Sequence, residues 1–344
     1  MGATIKDVAK LAGVSIKTVS NVLNGYRYLT PETKAKVQEA LIDLDYRPNI
    51  SARNLRRGRT GIIALALPNI NTPYFAELAE RIVQEAEGHD LTVLIDCTAG
   101  NLEREKLVAE GFRSHLIDGV ILQHWSLSER YLRGRPDKTP LVLLGERPVR
   151  SADNVAIDNR EAAKTAVTHL LEIGRRRIGV LGARGGRRRP GQPQAAGRRH
   201  EGYANALDAY GIPFDPALVV SPQGSHSPED VAKGVDELLA KAPDIDAIFC
   251  LNDRVALGAI RALITRGMRV PSDIAVVGID DIEAARLTTP SLTTIAPDKA
   301  AIARTAVEML AERIGGTDAP ARRVTAEARL IARESTLGLP SQVE

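Results

Sequence analysis

TIKDVAKLAGVSIKTVSNVLNG, residues 4–25, is the stretch from which the architecture follows. Thr4 is a good N-cap, and Ile5, Val8, Ala9, Leu11 and Ala12 recur at i, i+3, i+4 spacing, which predicts one short amphipathic helix. Gly13 ends it, because glycine enters the left-handed region at little steric cost. Val14 can plug the turn, and Ser15 caps a second helix through Val19, Val22 and Leu23, closed by Asn24-Gly25. Two short helices joined across a tight glycine turn form a helix-turn-helix. Thr30-Pro31-Glu32 opens a third helix with an N-cap, a proline at N1 and an acid at the positive dipole end; its apolar face is Val37, Leu41 and Leu44.

In this arrangement the second helix lies in the major groove with its first turn presented to base edges. Ile16 and Lys17 occupy that turn, and Asn21 follows one turn later on the same face. Lys17 can donate to guanine O6 and N7, Asn21 can pair with adenine, and Ile16 can touch a thymine methyl. The competing reading is a small three-helix bundle with no nucleic-acid role. Charge alone does not decide between the two, since sixty residues can be basic by chance: residues 1–60 hold eleven Lys and Arg against five Asp and Glu, whereas the remainder is slightly acidic. A basic head on an acidic body fits a nucleic-acid-binding module joined to something else.

The string TIKDVAKLAGVSIKTVSNVLNG, followed by TPETKAKVQEALIDLDYRPN, resembles the DNA-binding domain of the LacI/GalR family of bacterial transcriptional regulators. The resemblance runs nearly gapless over about fifty residues. It implies that Ile16, Lys17 and Asn21 read bases, and that Arg27 matches a base-reaching position in the family's purine-repressor branch. It also bears on NISARNLRRGRT, residues 49–60. By composition this is a basic linker, since an isolated helix of about eight residues is marginal in water. By resemblance it is the hinge helix, with Leu55 wedged into a minor-groove base step while Arg53 and Arg56 hold phosphates. Paired hinges imply a homodimer on a pseudo-palindromic double-stranded operator.

From Gly61 the pattern changes. Short aliphatic runs, Ile62–Leu67, Leu91–Asp96, Gly119–Gln123, Leu141–Leu144, Val155–Asp158, Ile178–Leu181, Ala247–Leu251 and Ile274–Ile279, alternate with amphipathic segments such as 75–87, 160–173, 229–241 and 254–266. Alternating units of this kind predict parallel sheets covered on both faces. The fold class expected is therefore α/β: an all-α three-helix head plus two doubly wound parallel α/β subdomains. The boundaries are 1–48 for the head, 49–60 for the hinge and 61–344 for the core. Within the core, one subdomain is expected to take 61–158 with 293–322 and the other 159–292 with 323–340.

Ligands of such sheets sit at the carboxyl ends of strands, and two subdomains face those ends into one cleft. Pro73-Tyr74-Phe75, Gln123-His124-Trp125, Asn252-Asp253 and Asp280-Asp281 all fall there. Carboxylates and amides can bond vicinal hydroxyls, and aromatic faces can stack on a pyranose. PYFAEL, DGVIL, FCLNDRVALGAIRAL, VVGIDDIEAARLTTPSLTTI and RLIARES are similar to the family's periplasmic-binding-protein-like core. The resemblance implies an effector site with Tyr74 and Phe75 in its wall, Arg199 as effector-binding arginine, Asn252 as inducer-site amide and Asp280 as hydroxyl-binding carboxylate. Gln123, Trp125 and His226 complete the expected set.

Two stretches depart from the family pattern: Gly145-Glu146, where sugar-responsive members often have aspartate, and Gly224-Ser225-His226, where others have an aromatic. Residues 183–199 carry six arginines and read as an expanded loop, either a solvated one or an aid to an anionic effector.

These features predict a repressor whose operator affinity is set by a small effector, with a sugar expected. The alternative is a nucleobase or phosphorylated metabolite, acting as corepressor. A free-standing sugar-binding protein would need a signal peptide and no basic head; an α/β enzyme would need a catalytic constellation. Neither feature is found. Glycines 182, 185 and 186 lack the dinucleotide fingerprint, His200-Glu201 lacks a second histidine at metal spacing, and two cysteines cannot build a disulfide scaffold. No cofactor or metal is expected, and a cytoplasmic protein without a membrane segment is.

Overall fold

A computed structural model describes residues 3–23, 26, 28–46, 59–113, 116–147, 149–182, 194–221 and 227–338. The chain divides into two units, residues 1–60 and 61–344.

In the first unit, α1 (Ile5–Leu11), α2 (Ile16–Leu23) and α3 (Pro31–Asp43) follow the capping residues. The Asp7 carboxylate accepts from the Thr4 amide at 2.8 Å and the Thr4 hydroxyl at 2.6 Å. Ser15 Oγ accepts from the Thr18 amide at 3.0 Å, and Thr30 Oγ1 from the Thr33 amide at 3.3 Å. The bonds from the Thr4, Thr18 and Thr33 amides satisfy donors that the helix start leaves without a partner. Gly13 takes φ +62°, and Val8, Ala9, Val19, Val37 and Ala40 form the core. Leu11 lies outside it, 53% exposed. The hinge residues Arg53, Leu55 and Arg56, and Arg27 before them, fall outside the described residues.

The second unit holds two six-stranded sheets. The first comprises β1 (Ile62–Leu67), β2 (Thr92–Cys97), β3 (Gly119–Gln123), β4 (Leu141–Leu144), β5 (Asp153–Ile157) and β11 (Arg323–Ala326), in the order β11-β5-β4-β3-β1-β2 and wholly parallel. The second comprises β6 (Ile178–Leu181), β7 (Val219–Val220), β8 (Ala247–Cys250), β9 (Ala275–Ile279), β10 (Thr293–Pro297) and β12 (Ala328–Ile331), in the order β12-β10-β9-β8-β6-β7. Here β12 pairs antiparallel with β10, whereas the other neighbouring strands run parallel. Central strands such as β4 and β8 are buried at every residue, as sheets with helices on both faces require.

Helices α4 (Pro73–Glu87), α5 (Leu102–Ala109), α6 (Glu129–Gly134) and α12 (Lys299–Ile314) accompany the first sheet. The second is flanked by α7 (Asn159–Glu172), α8 (Gln194–Ala209), α9 (Pro228–Lys241), α10 (Asp253–Thr265), α11 (Ala284–Leu287) and α13 (Glu334–Leu337). Among the described residues no helix is long and apolar enough to cross a membrane.

The expected subdomain boundaries need correction. Residues 293–297 form β10 of the second sheet, and 323–326 form β11 of the first, the reverse of the assignment made from sequence. The chain passes between sheets three times, at 157–159, 297–299 and 326–328. Short terminal strands carry little periodicity, and parallel β11 pairs with β5 some 170 residues earlier, so local pattern could not place it. Arg199 stands on α8 and not in a loop, while residues 183–193 lie outside the described residues.

Candidate functional site

On the head, Ile16 opens α2 and is 43% exposed, Lys17 beside it is exposed, and Asn21 is half-buried one turn later. Val19, between them in sequence, turns inward to the core. The same helix therefore offers one buried stripe and one open face, the division a groove-reading helix needs. Tyr26 and Tyr28, which sequence reasoning passed over, form an edge-on aromatic pair 5.7 Å apart and are 52% and 86% exposed. Their exposure was not legible because aromatic residues near helix ends more often complete a core.

In the second unit, Tyr74, Phe75, Gln123, Trp125, Arg199, Asn252 and Asp280 all line one cleft of about 660 Å³. That volume lies within the range of small-molecule sites. Of the expected set, only His226 falls outside the described residues.

Strand ends and helix starts place these groups. Asn69 Oδ1 accepts from the Thr72 amide at 3.1 Å and its hydroxyl at 2.7 Å, fixing the turn into α4. Pro73 then occupies N1, and the Tyr74 and Phe75 rings meet edge-on at 5.5 Å. Tyr74 packs against the cores of both subdomains, and burial pushes its phenol above the ordinary range. Gln123 ends β3 beside Gly145, whose φ is +101°. The backbone conformation is what favours glycine here; a Cβ would also stand 2.6 Å from Gln123 Nε2, the far end of a flexible side chain that would have to move aside. Past Gln123, the buried Glu105 carboxylate accepts the amides of Trp125, Ser126 and Leu127 at 2.8, 2.9 and 3.0 Å.

On the opposite wall, Asn252 caps α10 by accepting the Val255 amide at 2.9 Å. Arg199 donates through Nε to Asn159 Oδ1 at 2.6 Å and through Nη1 to the Leu251 carbonyl. Its Nη2 lies 3.5 Å from Asp280 Oδ1. Asp280 is buried with φ +131°, and Asp281 follows at +46°. Such backbone in non-glycine residues is costly and gathers at binding sites. Burial raises the Asp280 carboxyl above the usual carboxylate range, opposed by Arg199 and Lys299. Neighbouring Asp253 is raised chiefly by its own burial and by Asp280.

His124, Glu146, Arg147 and Arg254 also line the cleft and were not chosen from sequence as site residues. His124 is 4% exposed, and neither ring nitrogen has a hydrogen-bond partner; burial, with Arg147 nearby, pushes its pKa down to about 4. Glu146 Oε1 accepts the Asn159 amide, its Oε2 is buried without a partner, and burial raises the carboxyl. The signal for His124 is its place between Gln123 and Trp125 at the end of β3, and for Glu146 the departure at Gly145-Glu146 that follows β4. A buried polar atom without a partner is costly, and a hydrogen bond supplied to it from the cleft offsets that cost. Among the described residues no three His, Cys, Asp or Glu side chains gather as a metal site.

Residues 4–49 match the family described as bacterial regulatory proteins, lacI family. Residues 167–336 match the periplasmic binding protein-like domain. The HTH-type transcriptional repressor PurR of Mannheimia succiniciproducens is 33% identical over 336 residues, 97% of this chain and 98% of that protein. The chain belongs to the LacI family. It is a DNA-binding transcriptional repressor of that family, whose members are regulators and not enzymes. Operator DNA and a small-molecule effector are accordingly its partners. Two solved LacI-family structures resemble it. A LacI-family transcriptional regulator from Sanguibacter keddieii is 40% identical with a TM-score of 0.73, covering 82% of this chain and 100% of that one. The transcriptional regulator CelR in complex with cellobiose is 29% identical with a TM-score of 0.69, covering 97% of this chain and 99% of that one.

Proposed function

We propose that the effector of this repressor is a neutral sugar, bound between the subdomains by the groups that converge there, and that its binding lowers operator affinity. The observation that carries this reading is the inventory of the cleft, where amides Asn69, Asn71, Gln123 and Asn252 and carboxylates Glu146 and Asp280 stand with Tyr74, Phe75 and Trp125. Amides and carboxylates match hydroxyl groups in both donor and acceptor sense, and aromatic surface matches the apolar face of a pyranose. The cellobiose-bound relative, similar over nearly the whole chain, supports the same class.

The working unit is a homodimer on a pseudo-palindromic operator. Support comes from β2, an edge strand of the first sheet whose Leu94 and Ile95 are 53% and 49% exposed. Exposed apolar edges of this kind are usually covered by a partner. At each half-site Ile16, Lys17, Asn21 and Arg27 read bases, Leu55 enters the minor groove, and Arg53 and Arg56 hold phosphates.

A second reading is favoured by one finding: the curated relatives named PurR match along the whole chain. In it the effector is a purine nucleobase acting as corepressor. Melting of the full chain against neutral mono- and disaccharides, phosphosugars and nucleobases decides between them. A ligand at 100 times its dissociation constant adds about 2.7 kcal/mol. A shift with neutral sugars alone is the expected result; a shift with nucleobases alone replaces the first reading by the second.

A further inference from the structure

Glu77 lies on α4, three residues after Tyr74. Its Oε1 accepts the Glu283 amide at 2.8 Å, and its Oε2 accepts a hydrogen bond from Lys299 Nζ. Lys299, the first residue of α12, also donates to the carbonyls of Asp280 at 3.0 Å and Asp281 at 2.8 Å. All three ammonium donors are therefore used. The same Nζ lies 6.0 Å from the centre of the Tyr74 ring. Both side chains are largely covered, with 13% of Lys299 and 27% of Glu77 exposed.

The elements involved give this pair its meaning. α4 and α12 pack on the first sheet, while residues 280–283 follow β9 of the second. Three hydrogen bonds, from Lys299 to two carbonyls and from the Glu283 amide to Glu77, thus join the two subdomains at one edge of the cleft. They hold the turn whose positive φ angles orient the Asp280 carboxylate; two come from Lys299 on α12, and the third goes to Glu77 on α4, the helix that presents Tyr74. A ligand touching Asp280 and Tyr74 would press on both ends of this connection. An ordinary surface ion pair would have neither the buried setting nor the backbone partners.

We infer that Glu77 and Lys299 are a positioning pair that couples occupancy of the cleft to the arrangement of the two subdomains, and through it to DNA affinity. The inference rests on the effector reading above. The pair acts by stabilising one arrangement; a ligand then shifts the balance only through differential affinity for the two.

The test uses the full chain and needs no effector. Lys299→Met removes the donors while keeping the length of the side chain, Lys299→Arg keeps donors, and Glu77→Gln keeps an acceptor for the Glu283 amide. Hydrogen exchange of the peptide covering 280–287 is measured beside affinity for a duplex selected from a random pool by the parent protein. Lys299→Met is expected to speed exchange there by about tenfold or more. It is also expected to change ligand-free DNA affinity by about threefold or more, with Lys299→Arg close to the parent in both. Glu77→Lys combined with Lys299→Glu restores the ion pair but not the bonds to carbonyls, and is expected to stay fast. Parent-like exchange in Lys299→Met overturns the proposal. So does fast exchange with unchanged DNA affinity, which makes the pair a local brace. Should Lys299→Met fail to fold, Glu77→Ala, which removes the acceptor of the Glu283 amide, carries the test, with faster exchange of the same peptide and an altered DNA affinity expected, and with Glu77→Gln slower than Glu77→Ala. Failure of the effector reading shows separately, as a parent protein whose melting no ligand shifts.

Discussion

The Arg199 guanidinium stands 3.5 Å from the Asp280 carboxylate, with 12% and 9% of the two side chains exposed. At that distance and burial the pair is held by charge, while the firm hydrogen bonds of Arg199 go to Asn159 and the Leu251 carbonyl. Arg199 is thus fixed independently of Asp280, leaving carboxylate oxygens to accept from a ligand. Asp280→Asn keeps the shape and removes the charge. It is expected to weaken ligand binding by about tenfold or more, a charge-assisted bond contributing roughly 1.5–3 kcal/mol. DNA affinity without ligand should stay near that of the parent. Calorimetric titration with whichever ligand stabilises the parent is the check, and undiminished affinity would place the ligand elsewhere.

Lys17 is exposed at the start of α2 with its neighbour Ile16 on the open face. Lys17→Ala is expected to relax discrimination at one base pair of each half-site, at about 1–3 kcal/mol. Binding to duplexes mutated one position at a time is the measurement. Uniform weakening over all sequences would make Lys17 a phosphate contact.

His124 sets an expectation for pH. Its pKa in the folded protein is pushed down to about 4, below the ordinary 6.5. Between those values the unfolded chain binds a proton that the folded chain refuses, so this group removes stability as pH falls from about 6.5 to 4. The full effect is on the order of 3 kcal/mol. Asp253, Asp280 and Glu146, all raised, work in the opposite sense over part of the same window. The difference between parent and His124→Gln isolates the histidine. Urea unfolding at several pH values should show the parent losing ground to the variant on acidification, and a pH-independent difference would contradict the assignment.

Gly145→Ala is expected to lose about 1–3 kcal/mol, since φ +101° excludes most side chains. It should also displace the Gln123 amide, which a Cβ would approach to 2.6 Å. A urea midpoint equal to the parent's would show that the turn yields at little cost.

Local signals made the head and most of the sheets legible. Thr4, Ser15 and Thr30 are capping residues with side chains too short to serve many other purposes, and β3, β4 and β6 begin and end at the residues the aliphatic runs indicate. The sheet margins were not legible: β7 of the second sheet has two residues, and β11 of the first sheet and β12 of the second are terminal strands, β11 pairing with a strand far away in sequence. The cleft was half legible. Tyr74, Gln123, Asn252 and Asp280 follow from strand ends, a topological rule. Burial without a partner, which distinguishes His124 and Glu146, is a property of assembled walls and has no trace in residue order.

The most direct test of the account is the affinity of the full chain for a pool-selected operator duplex, titrated with and without a ligand that raises its melting temperature. Coupling free energies between such sites run to roughly 1–3 kcal/mol. The ligand is expected to be a neutral sugar and to weaken operator binding by about 5- to 150-fold. A ligand that binds the cleft and leaves operator affinity unchanged would contradict it.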